Sequence, residues 1–222
     1  MAGGHSSPWP PAAGLTTQNV KFAEAILTTS ASTRIAAPAS LVFDAVLDVA
    51  SYGKWNTFCP RVTVQSQPSD AGAEEGKLQI GTVFTFQVVM DEKKPTSETP
   101  TQLMCTDIST PAAPSSYIPP DVLKNEDSYA EDLSKVYRVG WRCEGGFVSR
   151  GLKTERFHEI IVLGENECEV RTWENQGGIL AHTVKWLYRK TLDAKFKLWC
   201  ADLKKYCEDK AKEQQTDVGN ET

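Results

Sequence analysis

The sequence predicts an α+β domain: a seven-stranded antiparallel sheet wrapped around one long C-terminal helix, with two short helices after the first strand. Three observations carry this. Leu180, Val184, Leu187, Tyr188, Leu192, Phe196, Trp199, Leu203 and Tyr206 recur at three- and four-residue spacing, a wide helical stripe. Upstream, short runs of alternating apolar and polar residues are separated by turn-forming segments. Ahead of those runs, Ala37-Pro38-Ala39-Ser40 opens a segment in which Leu41, Val42, Ala45 and Val46 have helical spacing. A long amphipathic helix that follows antiparallel strands must lay its stripe on one face of their sheet.

In chain order, residues 1–20 are rich in Gly, Pro, Ala and Ser and are expected to form a disordered tail. The first strand is expected over 21–35, where Ile26, Leu27 and Ile35 sit among threonines and serines of high β-propensity. Pro38 belongs in a first helical turn, where its missing N–H costs nothing, and short helices are expected over 38–48 and 49–56. Tyr52, Trp55, Asn56 and Phe58 form an aromatic cluster beyond. Strands follow at 61–67, 79–90, 101–108, 134–143, 152–163 and 167–176, and Gly177-Gly178 ends the last of them before the helix of 179–208. Residues 209–222 are expected to be a disordered polar tail. One connection, about 109–134, carries Pro111, Pro114, Pro119 and Pro120 and an acidic stretch from Asn125 to Asp132. Connections this long are functional or disordered, so it is either a mobile lid over a site or a solvated insertion.

The opening strand, the helix begun by Ala-Pro and the Tyr52-x-x-Trp55-Asn56 turn together resemble the START-like (SRPBCC) superfamily, which holds polyketide cyclases, birch-pollen allergen-type proteins and lipid-transfer domains. Glu174 followed by Gly177, Gly178 and Leu180-Ala181 is similar to it as well. The resemblance covers 21–208, taken as one START-like domain, and implies the helix-grip fold with an internal ligand cavity. It further implies a small hydrophobic ligand (polyketide, terpenoid or lipid-like). The same scaffold also implies a rival reading, a cofactor-independent cyclase or isomerase of secondary metabolism.

Strand parity assigns the side chains that face such a cavity. Tyr137 and Trp141 share one face with Val139 and Cys143, away from Arg138 and Arg142. Glu155 and Glu159 mark a wet face, which puts Thr154, Arg156 and His158 inside and leaves Phe157 and Ile161 outside. Thr172 and Glu174 point in with Cys168 and Val170, and Phe84 and Phe86 form an inward apolar row. Arg156, His158 and Glu174 are therefore the candidate catalytic residues. In the enzyme reading His158 moves a proton, Arg156 holds an anionic oxygen and Glu174 tunes the histidine. A structural bridge between Arg156 and Glu174, beside a core histidine, accounts for the same pattern. Tyr137, Trp141, Phe84, Phe86, Thr172 and Tyr188 are the candidate ligand-binding residues.

Composition narrows the partners. A net charge of −5 without a basic run disfavours nucleic acid, and no apolar run is long enough for stable membrane insertion. The six cysteines are widely spaced and lack a CxxC, so they read as packing thiols of a reducing, cytoplasmic compartment. No metal-ligand spacing, P-loop, GxSxG elbow or GxGxxG turn is present, so neither metal nor cofactor is expected. A homodimer is left open.

Overall fold

The computed structural model describes residues 9–68, 76–91, 93–94, 96–145 and 148–220. Strand β1 (Leu27–Ile35) leads into α1 (Ala39–Leu47), which begins directly after Pro38, and then into a 3-10 segment, Val49–Lys54. There follow β2 (Arg61–Ser66), β3 (Val83–Val89), β4 (Glu98–Ser109), the short α2 (Pro120–Asn125), β5 (Val136–Cys143), the single turn α3 (Val148–Gly151), β6 (Lys153–Gly164) and β7 (Glu167–Gly177). Helix α4 (Ile179–Asn220) closes the chain and runs through 209–220, which the sequence pattern had assigned to a tail.

The strands form one antiparallel sheet in the order β1-β7-β6-β5-β4-β3-β2. Consecutive pairing from β2 to β7 leaves β1 to close onto β7. Sheet and helix meet as the helix-grip architecture requires. Leu192, Phe196, Trp199, Leu203 and Cys207 of α4 join Phe84, Phe86, Leu103, Val139, Trp141 and Val170 of the sheet in one core. Tyr52 stacks on Phe86 and donates its hydroxyl to the Val46 carbonyl, fixing the turn after α1. The turn from β7 into α4 needs glycine. Gly178 has φ +86°, and a Cβ there would lie 2.6 Å from the Gly151 carbonyl oxygen.

The opposite face of the sheet is not wet. Phe157 and Trp173 stack there, with ring centroids 5.5 Å apart, under Tyr129, Ile118, Leu123 and Leu15. The cover comes from the two segments expected to be unstructured or mobile. In the N-terminal one, Thr16 and Leu15 lend their carbonyls to the Trp173 indole N–H and the Asn175 amide, at 2.8 and 2.7 Å. In the 109–134 insertion, Ser128 accepts from the Thr16 N–H at 2.8 Å, so the two segments also hold each other.

Glu155 and Glu159, expected in water, are fully buried beneath them. Glu155 accepts from the Asn19 N–H, the Asn19 side chain and the Tyr117 hydroxyl at 2.7, 2.8 and 2.6 Å. Glu159 accepts from Arg138 Nε at 3.0 Å and from the Ala130 N–H. Buried carboxylates demand such partners. The chain therefore has three layers: α4, the sheet, and a cap formed by the N-terminal segment and the insertion. The insertion lies on the face away from the helix, so the lid reading fails.

Candidate functional site

Between α4 and the inner face of the sheet lies a cavity of about 1040 Å³. That volume takes in Thr63, Gln65, Thr85, Gln87 and Gln102, whose register puts them on the other face from Phe84, Phe86 and Leu103. The space available to a ligand inside the grip is accordingly smaller. Its walls are Phe86, Leu103 and Trp141 from the sheet and Leu192 and Phe196 from α4. Its rim is formed by Val184 and Tyr188 on one side and Asp91, Lys94 and Ser97 of the β3–β4 connection on the other. No lining residue comes from the 109–134 insertion.

Strand pairing sets the polar groups of the interior. Arg156 on β6 lies opposite Glu174 on β7, and one pair along, Thr154 lies opposite Gln176. All four line the cavity. The Arg156 guanidinium is held from behind. Its Nε donates to Thr172 Oγ1 at 3.1 Å, and its carbon sits 4.0 Å from the Phe196 ring centroid and 5.0 Å from that of Trp199. Its Nη2 is fully buried and has no hydrogen-bond partner among the described residues. Glu174 is bonded elsewhere, accepting from Gln176 Nε2 at 2.6 Å.

Burial raises the Glu174 carboxyl above its usual range, against the opposing pull of Arg156 and the Gln176 bond. Burial likewise lowers Arg156, with Glu174 the largest counterweight; a guanidinium remains charged nonetheless. The Cys59 thiol in the wall is pushed up to about 12 by burial, which leaves it a packing group.

The candidate residues separate into those in the wall and those behind it. Arg156, Glu174, Trp141, Phe86 and Tyr188 line the cavity, Tyr188 at its mouth and 42% exposed. Thr172 is one layer back, orienting Arg156. Phe84 packs behind Phe86 and Trp141, with centroids 5.0 and 6.0 Å away. Tyr137 packs on Phe43 of α1, 5.0 Å between centroids, and is not in the wall.

His158 is behind the wall too, fully buried between Trp141 and Trp199 with ring centroids at 4.2 and 4.7 Å. Burial, and then the Arg156 charge, hold it well below the usual imidazole range, so it is neutral. Gln176, which continues the Thr172, Glu174 alternation by one step, lines the cavity as well. Among the described residues no group of three or more His, Cys, Asp or Glu side chains is placed to hold a metal ion. Nor is any described helix long and apolar enough to cross a membrane.

A family model described as "Polyketide cyclase / dehydrase and lipid transport" matches residues 35–198, from the end of β1 to the middle of α4. The chain belongs to this family. A relative, the "Oxopyrrolidines biosynthesis cluster protein O" of Penicillium oxalicum, is 31% identical over 204 residues, covering 87% of this chain and 93% of the relative. Two solved structures share the fold. A hypothetical protein of Helicobacter pylori superposes with a TM-score of 0.58 at 13% identity, over 83% of this chain and 89% of its own. A START superfamily protein of Mycobacterium smegmatis gives 0.53 at 13% identity, over 82% and 97%. The START-like resemblance read from the Ala-Pro helix and the Tyr-x-x-Trp-Asn turn therefore holds, as does the seven-stranded helix-grip fold.

Proposed function

We propose that this cyclase/dehydrase-family protein binds a small hydrophobic, carbonyl-bearing intermediate of secondary metabolism and promotes its cyclisation or dehydration without a cofactor. The observation that carries the proposal is the Arg156–Glu174 pair: two ionisable groups on neighbouring strands, both lining one apolar cavity. An apolar container for lipid-like cargo needs neither group, and burying them is costly. The relative's name, which places it in an oxopyrrolidine biosynthesis cluster, supports an intermediate rich in carbonyl groups.

The chemistry follows from the pair. Arg156 donates to a ligand carbonyl oxygen and stabilises negative charge that develops there. The Glu174 carboxylate, made more basic by burial, takes a proton from the carbon beside that carbonyl, and the electron pair moves onto the oxygen as an enolate. The enolate carbon then attacks a second carbonyl of the same molecule, closing a ring, and Glu174 returns the proton to the new alkoxide. No electrons leave or enter. His158 takes no part, because it packs behind Trp141 and does not line the cavity.

The test is α-deuteration of a long-chain methyl ketone in D2O, followed by mass spectrometry. The protein should accelerate exchange. Glu174→Gln should lower the accelerated rate by about 10²–10⁴-fold while apolar dye binding persists. Dye binding with no acceleration by the unaltered protein would sink the catalytic half and leave a container.

A further inference from the structure

The outward side of the first three turns of α4 is apolar where water favours polar residues. Trp186 is 83% exposed, Ile179 78% and Leu187 50%. With about 3.6 residues per turn, Ile179, Thr183, Trp186 and Lys190 fall in one line along the helix. Leu187 lies beside that line, and the buried Ala181 and Leu192 lie opposite it. Leu187 belongs to the apolar stripe of the sequence pattern, yet it faces water. Single exposed apolar residues are ordinary, but an apolar line next to a cavity mouth marks an interaction surface. Tyr188, the next residue, forms that mouth with Val184.

Charge is sorted on the same surface. From Gly178 to Leu192 the chain has no Asp or Glu but carries Lys185, Arg189 and Lys190, all exposed, in a protein of net charge −5. Arg150 is exposed beside Gly151, which lies against Leu180 and Ile179. Lys94 is exposed on the opposite rim. The acidic groups nearest the mouth are Asp91 and Glu144, and Glu144 is paired with Arg142.

The charge selects the occupant. A second copy related by a two-fold axis would set Lys185, Arg189 and Lys190 against the same residues, which repel. Helix faces that mix Trp, Leu and Ile with Lys and Arg suit the interface of an anionic bilayer. Their apolar groups enter the acyl boundary while the long cations reach back to the phosphates.

We propose that the first three turns of α4 are a docking surface for an anionic phospholipid bilayer, seated so that the cavity mouth at Val184 and Tyr188 faces the lipid. An apolar ligand then passes between bilayer and cavity without crossing water. Docking is peripheral, because no described helix is long and apolar enough to span a membrane. It does not depend on the Arg156–Glu174 chemistry.

Co-sedimentation of the full chain with phosphatidylcholine vesicles, with and without phosphatidylserine, tests the surface. Binding should require phosphatidylserine and fall as salt rises. Trp186→Ala should weaken it about ten-fold. Lys185→Gln combined with Lys190→Gln should weaken it roughly twenty-five-fold, at about five-fold for each cation. Both variants alter exposed side chains, so their urea midpoints should match that of the unaltered protein. Vesicles with brominated acyl chains should quench indole emission in the unaltered protein and much less in Trp186→Ala. Absence of binding to phosphatidylserine vesicles, or binding that these variants leave unchanged, overturns the proposal. A concentration-dependent dimer that Trp186→Ala dissolves, with no vesicle bound, gives the face to a second copy instead. Ketone exchange in vesicle-free solution should be the same in Trp186→Ala, so failure of docking leaves the catalytic reading standing.

Discussion

His158 and Arg156 are two residues apart on β6 and both pack against Trp199, yet they serve opposite ends. Arg156 keeps its charge because Phe196 and Trp199 flank the guanidinium and Glu174 lies across the strand pair. His158 gives its charge up, since burial and the Arg156 charge both disfavour a second cation. The consequence for stability has a definite sign. The unfolded chain binds a proton at this site near the ordinary imidazole pKa of about 6.5, while the folded one does not until well below. Stability contributed by the neutral ring is therefore lost as pH falls below about 6.5, with a limiting slope of about 1.4 kcal/mol per pH unit. Glu174, Asp107 and Glu159, whose carboxyls are raised chiefly by burial, act in the other direction: their contribution is present at acid pH and lost as pH rises through their folded values. His158→Leu separates the two effects. Urea midpoints of the protein and the variant, compared between pH 7 and 5.5, should show the variant gaining relative stability on acidification. An identical acid slope in both would mean that the folded protein protonates His158.

At the scale of elements, the cap over Phe157 and Trp173 has the largest consequence. Deleting 110–126 behind a Gly/Ser linker would strip Ile118, Leu123 and Tyr117 from that face and leave Glu155 without its phenol partner. Removing partners from buried charges costs about 3–5 kcal/mol, and lost apolar cover adds to it, so the deletion should lower the urea midpoint sharply or prevent folding. A milder version, Ile118→Ala, should cost about 2–4 kcal/mol. Ligand off-rates should stay unchanged in Ile118→Ala, since the cap contributes nothing to the cavity wall; an unchanged midpoint with a faster off-rate would restore the lid. This is also where sequence reading reached its limit. The stripe of α4 and the alternation of the strands are local periodicities, and they placed the helix, the sheet and the inward row of Trp141, Arg156 and Glu174. The same alternation put Phe157 outside, but nothing local could say that residues 9–20 and 115–130, aperiodic and rich in proline, return across the chain to bury it. Glu155 and Glu159 looked wet because a carboxylate with distant partners has the same sequence signature as one in water.

On the scale of the whole molecule, the two faces of one sheet divide the work between stability and recognition. The capped face carries a fully packed aromatic core and the ion network of Arg138, Asp107 and Glu159. The gripped face is left with space, open at the Val184 and Tyr188 end of α4. Tryptophans report on each face separately: Trp141 lines the cavity, whereas Trp173 lies in the capped core. An environment-sensitive apolar dye should bind with about one site per chain and quench indole emission. Trp141→Phe should remove most of that quench, because it deletes the one indole in the cavity wall while Phe84 and Phe86, each edge-on to it, preserve the surrounding packing. Trp173→Phe should leave the quench nearly intact even where it lowers the melting temperature, since its ring stacks on Phe157 on the far side of the sheet. Native mass spectrometry of the purified protein should give the same stoichiometry with any co-purifying ligand. A quench that follows Trp173 instead of Trp141 would place binding on the capped face, and the division of labour between the two faces would be wrong.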